Sequence, residues 1–545
     1  MKRKIFISLL LLIFNCILLC GQGKIHYKEM EQDFNYLVKT IEETHPDPYT
    51  IFGGKMAFHK KVHDIRNNLP KEGISIFEFY LLLSEFISML NDGHTFISNP
   101  EQQEPSKKLL PVRLFFYSDA LYIRDAKNEY KEYLGSKVTH VNKVPIEVLL
   151  ERIPSITPCE NISGAYVGLR NVLQNCSQMK RLFPEIDSTI TLTLLLPEMK
   201  PGEINLTYLI HEKMEYQSWV NFPWWGKAPS KSLPFYYNFI DDEKKVVYFM
   251  MLSVIAREAF ELMKKYDMDV NPSLNRIYNS YLHGIPIPED VNEAIQKVPS
   301  LTEDFKEMLE EMKINGSTHL IIDLRFNDGG WTPIVIPTLY LLFGDQYFAF
   351  DCKAEMNKLI SKQYLEKYNT TIDEYNKSNN SSLKVGDYKF GYFMRQDPSL
   401  SPEKRREKYL SDLKQGNLNW HKDLQDLKGQ PIHSPKIIVV TSPSTFSAAF
   451  HYMFLLDEIG DATVVGASPS QAGNSFMECT YFELPNSLLS FSVSNSAQFF
   501  YPDDRQKGVL FKPDVPFKWQ NAKKYGFNYQ SEIMFIYDLI KEGKL

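Results

Sequence analysis

The sequence has no basic stripe, and it has few cysteines. Lys and Arg total 61 against 67 Asp and Glu, which gives a formal net charge of −6. Nucleic-acid-binding domains carry a basic stripe or patch, so a nucleic-acid partner is not expected. Beyond residue 23 the cysteines are sparse for so long a chain, and they do not indicate a disulfide framework. They are Cys159, Cys176, Cys352 and Cys479.

Long hydrophobic runs are also lacking, with one exception at the N-terminus. Lys2, Arg3 and Lys4 precede the apolar residues 5–19, and the small residues Gly21 and Gly23 follow. This order is typical of a secretory signal peptide. The run is shorter than the roughly 20 residues of a membrane-spanning helix. We therefore expect residues 1–23 to be a cleaved export signal and the mature chain to have no membrane span. The protein is then periplasmic or extracellular, with lipid attachment at Cys20 as the alternative.

Residues 24–100 have the pattern of a helical N-terminal region. Phe34, Leu37, Val38 and Ile41 recur at helical spacing. Residues 75–78, Ser-Ile-Phe-Glu, form a capping box that starts another helix, which we expect to end before a glycine at position 93. His94 is then placed on a turn just after that helix.

The rest of the chain divides into a β segment and an α/β segment. Residues 101–230 have β-type patterning. Within them, 134–146 read as a strand and a turn that lead into a short helix through Val148 and Leu150, similar to part of a PDZ domain. From 231 to 545, the apolar runs 245–252, 318–324, 436–441 and 462–466 predict a mainly parallel sheet covered on both faces. A polar insertion at about 353–435 is predicted to be surface decoration or a lid.

The strongest chemical signal is the segment 437–449, which ends in Ser-Thr-Phe-Ser-Ala-Ala. A buried strand ends at Thr441, and a helix is expected to follow Pro443, so that Ser447 lies in its first turn. The free amides and positive dipole end of a helix N-terminus can stabilise a developing oxyanion. The alternative is that Ser444 or Thr445 is a helix cap and Ser447 has no chemical role.

A second signal is the segment 323–330, Asp-Leu-Arg-Phe-Asn-Asp-Gly-Gly. Two glycines directly after a buried strand allow a sharp turn that points backbone amides into a cleft. Gly329 or Gly330 can therefore supply half of an oxyanion hole, with the Ala448 amide as the other half. The alternative is a tight strand-to-helix turn, with Asp323 and Arg325 as a structural ion pair.

Taken in order, these motifs resemble the tail-specific (C-terminal processing) peptidase and tricorn-core family. The resemblance also includes Leu-Asn-Asp-Gly-His-Thr at 90–95, Ala-Thr-Val-Val-Gly at 462–466 and Gly-Val-Leu-Phe-Lys-Pro-Asp at 508–514. It implies an α/β core of the ClpP/crotonase type, a helical N-terminal region and a small PDZ-like β domain. It also implies that Ser447 is the nucleophile and that Gly329 or Gly330 and Ala448 form the oxyanion hole.

The catalytic base departs from the tail-specific branch of the family. That branch has a Lys some 25 residues after the Ser, whereas residues 466–475 here contain neither Lys nor His. A serine hydroxyl needs a nearby base, and the tricorn-like branch uses a His from the N-terminal region, which His94 matches. The acidic partner in the family lies just before the 508–514 motif, where Asp503 and Asp504 are found, and we favour Asp504.

Two other histidine arrangements compete with this hypothesis. His451 lies four residues after Ser447 on one helix face and is an alternative base, although a packed histidine is commoner there. His59 and His63 have the spacing of a zinc pair but lack the Glu that follows the first His in zinc peptidases. We expect a solvated helix face there, and no metal or cofactor.

The sequence thus predicts an exported serine endopeptidase that acts on a peptide or protein substrate through an acyl-enzyme. Because the expected Lys is missing, the alternative is a non-catalytic ligand- or peptide-binding protein on the same scaffold, as in the retinoid-carrying relatives of this family.

The export signal predicts the N-terminus of the mature protein. N-terminal sequencing of exported protein should begin between Cys20 and Lys24, because signal peptidase cleaves after small residues. Exported protein that retains Met1 would contradict this.

Overall fold

The computed structural model describes residues 23–100, 107–211, 219–221, 233–282, 284–504 and 506–545. Of the predicted signal peptide, Gly23 alone is among them, so the cleavage site and Cys20 lie outside the described residues. Within these ranges, no helix combines the length and the hydrophobicity needed to cross a bilayer.

Three helices dominate the N-terminal region. The predicted capping box is present: Ser75 Oγ accepts from the Glu78 amide at 3.2 Å, and the Ser75 amide donates to Glu78 Oε2 at 2.8 Å. The helix that follows ends at Ser88, earlier than expected, and Asn91 (φ 49°) then turns the chain towards His94. The elements are β1 (Lys24–Ile25), α1 (Tyr27–Thr44), α2 (Lys55–Asn67), β2 (Ile74–Ser75), α3 (Ile76–Ser88) and β3 (Phe96–Ile97).

A seven-stranded sheet with helices against it forms the β domain. Strands β10, β9, β7, β6 and β12 lie in that order, with β5 paired to β6 and β8 to β7. The predicted strand and turn at 134–146, and the short helix through Val148 and Leu150, are present as β7, β8 and α4. The elements are β4 (Lys108–Leu109), β5 (Val112–Tyr117), β6 (Ala120–Lys127), β7 (Lys137–Val141), β8 (Val144–Pro145), α4 (Ile146–Arg152), α5 (Ile162–Gln174), α6 (Cys176–Met179), β9 (Thr189–Leu195), β10 (Pro201–Thr207), β11 (Leu209–Ile210) and β12 (Trp219–Asn221).

The α/β core contains a six-stranded sheet, in the order β13, β14, β15, β18, β19 and β22. All neighbours are parallel except the pair β13–β14, which confirms the predicted mainly parallel sheet. Its strands are β13 (Phe235–Phe239), β14 (Val246–Met251), β15 (His319–Asp323), β18 (Lys436–Thr441), β19 (Thr463–Gly466) and β22 (Val515–Pro516).

Helices cover both faces of this sheet, which is why its strands are continuously apolar. Leu320 and Ile322 face one helical layer, and Ile321 faces the C-terminal helix. The helices of the core and its insertion are α7 (Arg257–Lys265), α8 (Asn271–Ser280), α9 (Val291–Gln296), α10 (Leu301–Asn315), α11 (Ile336–Phe343), α12 (Asp345–Ala349), α13 (Lys362–Lys367), α14 (Ile372–Asn379), α15 (Pro402–Gln415), α16 (His421–Leu424), α17 (Ala448–Gly460), α18 (Trp519–Lys524) and α19 (Ser531–Lys541).

A second sheet joins the core to the insertion and to the N-terminal region. It has the order β17, β16, β21 and β20, and β3 pairs with β21. Its core strands are β16 (Glu355–Leu359), β17 (Tyr388–Tyr392), β20 (Asn474–Glu483) and β21 (Ser490–Phe499). The expectation that residues 353–435 are surface decoration or a lid was incomplete, because β16 is an integral strand and the Phe393 ring lies 4.6 Å from the His451 ring.

The four described cysteines Cys159, Cys176, Cys352 and Cys479 are free thiols in this structure. Together with the two sheets and the helical layers, the described residues confirm the predicted α/β fold with a helical N-terminal region and a β domain.

A buried ion-pair network anchors the C-terminal helix to the core sheet. The Arg325 guanidinium donates two hydrogen bonds to Asp323, at 2.9 and 2.7 Å, and one to Glu532 of α19 at 2.7 Å. The Arg325 side chain is 1% exposed. Asp323 and Arg325 are therefore the structural ion pair that the sequence suggested.

Replacing the cation of this network should destabilise the fold strongly. Arg325→Met leaves the carboxylates of Asp323 and Glu532 buried without a counter-charge, which costs about 3–5 kcal/mol of unfolding free energy. Urea denaturation followed by tryptophan fluorescence measures the change. Lys297→Met, which removes an exposed pair with Glu293, is the control and should change little. Equal effects of the two variants would contradict the account.

Candidate active site

Ser447 lies between β18 and α17 in an unusual backbone conformation. Its φ and ψ are 54° and −125°, and it occupies the residue just before α17 rather than the predicted first turn. Such positive φ values are uncommon for residues other than glycine and cost of order 1–3 kcal/mol. The Ser447 hydroxyl makes no capping hydrogen bond to the helix. The residue before the helix is therefore Ser447, and not Ser444 or Thr445.

The loop that carries Ser447 is hydrogen-bonded to the loop after β15. Thr445 Oγ1 donates to the carbonyl of Leu324 at 2.8 Å, and the Phe446 amide donates to the carbonyl of Asn327 at 3.1 Å. Because β15 and β18 are parallel neighbours, both loops leave the same edge of the sheet. The sheet therefore brings the serine motif and the glycine motif together.

The two glycines approach Ser447 closely. A Cβ on Gly329 would lie 2.6 Å from Ser447 Cβ, and Gly329 and Gly330 have φ of 104° and 147°. The Gly329 amide is already used, because it donates to Asn327 Oδ1 at 2.9 Å. Among the described residues, the amides of Gly330 and Ala448 have no acceptor. The geometry therefore favours Gly330 and Ala448 as oxyanion donors, while Gly329 allows the close approach.

His94 sits on a turn that Asp92 organises. Asp92 Oδ1 accepts from the His94 amide at 2.9 Å, and Oδ2 accepts from Thr95 Oγ1 at 2.5 Å. His45 Nε2 lies 3.3 Å from Asp92 Oδ2. Burial raises the pKa of Asp92, but the neighbouring His45 and His94 and the hydrogen bond from Thr95 together outweigh burial and hold that pKa below its usual range. Ser492 Oγ donates to the His94 carbonyl at 2.7 Å, which ties the turn to β21.

The His94 ring lies against the residue that precedes the serine. It stacks on Phe446 with ring centroids 4.6 Å apart and planes 24° from parallel. The His94 side chain is 8% exposed, and in the described part of the chain neither ring nitrogen has a hydrogen-bond partner. The structure thus brings His94 to the Ser447 loop, although the two residues are far apart in sequence.

The carboxylate beside His94 belongs to Glu160, a residue that the sequence did not single out. Glu160 Oε1 lies 3.7 Å from His94 Nδ1 and accepts from the Gly93 amide at 3.2 Å. Its Oε2 accepts from the Ala472 amide at 2.8 Å, and the side chain is 2% exposed. Glu160 comes from the β domain, immediately before the Asn161 cap of α5. Apart from its position before this helix cap, no sequence pattern indicates Glu160.

Asp504, the acidic partner favoured from the sequence, has different surroundings from Glu160. Asp503 and Asp504 are both exposed. The Asp504 carboxylate accepts from the Gln506 amide at 3.1 Å. Asn474 Nδ2 donates to the main-chain carbonyls of Tyr501 and Gln506, so this segment is held by its backbone while the acidic side chains face solvent.

The surroundings of His451, the alternative base, differ from those of His94. His451 is buried, with Nδ1 2.8 Å from Thr332 Oγ1 and Nε2 3.0 Å from Met477 Sδ. Burial, followed by the charge of His94, lowers the pKa of His451 to about 3. It has the surroundings of a packed, neutral histidine.

His59 and His63 lie exposed on α2, as expected for a solvated face. His59 Nε2 is 3.0 Å from Glu42 Oε1, and His63 Nε2 is 2.8 Å from Asn67 Nδ2. Each imidazole therefore has its own neighbour, and the two do not form a metal site together.

One cluster has the spacing of a metal site. Single ligand atoms of Asp92, His94 and Glu160 lie within 4.8 Å of one another. However, both oxygens of Asp92 already accept hydrogen bonds that shape the His94 turn. The cluster therefore fits an imidazole held between carboxylates better than a set of free metal ligands.

Comparison with known proteins agrees with the motifs. Residues 292–516 match the model of peptidase family S41. The structure of mature CPAF complexed with lactacystin aligns with a TM-score of 0.55 and 17% identity, over 95% of this chain and 99% of that chain. A second structure of mature CPAF aligns with a TM-score of 0.55 and 15% identity, over 92% of this chain and 95% of that chain. The photosystem II D1 C-terminal processing protease aligns with a TM-score of 0.40 and 11% identity, over 90% and 94%.

A sequence search of curated proteins finds no match. At their level of identity, the CPAF structures show a shared fold. The family match, over residues 292–516, agrees with the family recognised from the motifs. The same match confirms the prediction of a serine-type peptidase, and a peptidase implies a peptide or protein substrate.

The close approach of Gly329 to Ser447 can be tested directly. Gly329→Ala should lower turnover about 10²-fold, because a displacement of the serine by as little as 1 Å has effects of that size. Gly386→Ala is the matched control, since Gly386 also has a positive φ (94°) but no atom lies within 4 Å of a Cβ there. Peptide hydrolysis by the two folded variants gives the comparison. Equal activity in both would contradict the proposed contact.

Proposed function

We propose that this protein is an exported serine endopeptidase in which Ser447 is the nucleophile and His94 is its general base. The observation that carries the proposal is the buried His94 ring stacked on Phe446, with both nitrogens unpartnered among the described residues. Buried polar atoms without partners are rare and destabilising. Such an imidazole beside a strained serine therefore favours catalysis over packing.

The proposed reaction begins with proton transfer from Ser447 Oγ to His94. The oxygen attacks the carbonyl carbon of the scissile peptide bond, and the resulting oxyanion accepts hydrogen bonds from the amides of Gly330 and Ala448. His94 then gives its proton to the leaving amine, and the acyl group remains on Ser447. Water, deprotonated by His94, hydrolyses this ester and restores the enzyme.

Glu160 is proposed as the carboxylate that orients His94 and stabilises its protonated form. The 3.7 Å separation is longer than a hydrogen bond. Catalytic hydrogen bonds are often long in a free enzyme and shorten when substrate binds. This assignment replaces Asp504, whose carboxylate is exposed.

The alternative, a non-catalytic binding protein on this scaffold, does not account for the same features. A carrier requires neither the positive φ of Ser447 nor free amides at Gly330 and Ala448. Export is proposed from the charged and apolar segments of residues 1–23.

Variants of the three residues test the proposed site. Ser447→Ala and His94→Ala should each remove most peptidase activity, and the double variant should lose little more, because members of one catalytic unit are not additive. Glu160→Gln should lower kcat about 10²-fold through misplacement of the imidazole. Hydrolysis of a fluorogenic peptide library measures kcat and KM for each variant.

Asp504→Asn and His451→Ala are the controls for these variants. Asp504→Asn should retain wild-type kcat, because its carboxylate is exposed and accepts from the Gln506 amide. Full activity in His94→Ala together with lost activity in His451→Ala would assign the base to the other histidine. Full activity in Glu160→Gln would remove the carboxylate from the mechanism.

A further inference from the structure

The side chain of Gln471 contacts the backbone of Ser447, the proposed nucleophile. Its side chain is fully buried, and Gln471 Oε1 accepts a hydrogen bond from the Ser447 amide at 2.5 Å. Gln471 lies in the stretch 466–475, where the tail-specific branch places its lysine and this chain has none. Its Nε2 lies 3.8 Å from Met477 Sδ, a weak contact. The strong interaction of this side chain is therefore the one to Ser447.

This hydrogen bond acts on a residue that needs external support. A non-glycine residue with a φ of 54° persists only where its surroundings determine its conformation. The Phe446 amide is held by the Asn327 carbonyl, and the Ser447 carbonyl accepts from the His451 amide at 3.0 Å. Gln471 holds the remaining group, the Ser447 amide. With all three bonds present, the Ser447 backbone is constrained on both sides of its Cα.

We propose that Gln471 is a positioning residue for acyl transfer, whose side-chain carbonyl holds the strained backbone of Ser447 and so aims the Oγ atom. This inference rests on the proposed function of Ser447. It also explains the choice of oxyanion donors. Because Gln471 occupies the Ser447 amide, the amides of Ala448 and Gly330 are left for the substrate oxygen.

The neighbouring residue extends this support to the base. The Ala472 amide donates to Glu160 Oε2 at 2.8 Å. Residues 471 and 472 therefore contact the nucleophile through one side chain and the carboxylate beside His94 through one backbone amide. A short loop thus sets the relative position of the nucleophile and the base.

Two variants of Gln471 test the proposal. Gln471→Met removes the acceptor while keeping the volume, and it should lower kcat and the rate of labelling by a fluorophosphonate about 10²-fold with little change in KM. Gln471→Glu keeps an acceptor oxygen. When ionised, however, it places a negative charge next to the developing oxyanion. Its kcat relative to wild type should therefore fall as the pH rises through the range in which the new carboxyl ionises.

Gln346→Met is the matched control, because it removes a side-chain hydrogen bond to the Ile459 carbonyl at the far end of α17. It should retain wild-type kcat and labelling even if it lowers the unfolding midpoint. Wild-type labelling and kcat in folded Gln471→Met would overturn the inference. If that variant does not fold, the Gln471→Glu profile decides, and a ratio that does not change with pH overturns it. Absence of labelling in the wild-type chain would instead contradict the proposed function itself.

Discussion

A single buried carboxylate, that of Glu160, joins the three parts of the chain that meet at the candidate site. Glu160 belongs to the β domain, yet its oxygens accept from Gly93 of the N-terminal region and from Ala472 of the core. Removing a partner from a buried charge costs several kcal/mol. The three parts therefore cannot separate at this point without a large loss of stability, and the same contacts bring the Glu160 carboxylate to His94.

The core sheet supplies the other half of the site through its topology. Parallel pairing of β15 with β18 places the glycine loop and the serine loop at one edge. There the missing side chain of Gly329 allows contact with Ser447. The Arg325 network beneath this edge connects it to the C-terminal helix, because Ser442 Oγ donates to the Arg325 carbonyl while the guanidinium binds Glu532. Strain at Ser447 is thus supported by buried charges and hydrogen bonds rather than by the loop alone.

The features that the sequence predicted are those with a local pattern. The apolar runs of β14, β15, β18 and β19, the capping box at Ser75 and the glycine pair each follow from neighbouring residues. Glu160 and Gln471 could not be predicted, because each acts through a contact with a residue far away in the chain. Asp504 was chosen by its place in a family motif, and the backbone bonds of Asn474 leave that segment with its acidic side chains in solvent. The helix after β18 begins late because Ser447 adopts a positive φ, which no propensity of serine indicates.

The most direct test of the account is a crystal structure of the protein after reaction with a fluorophosphonate, whose adduct mimics the tetrahedral intermediate. The account predicts a single adduct on Ser447 Oγ, with the phosphonyl oxygen about 2.7–3.1 Å from the amides of Gly330 and Ala448. One His94 nitrogen should lie within hydrogen-bond distance of the adduct. The Glu160 carboxylate should lie within hydrogen-bond distance of the other His94 nitrogen. An unmodified Ser447 in folded protein, or an adduct whose oxygen points away from both amides, would contradict it.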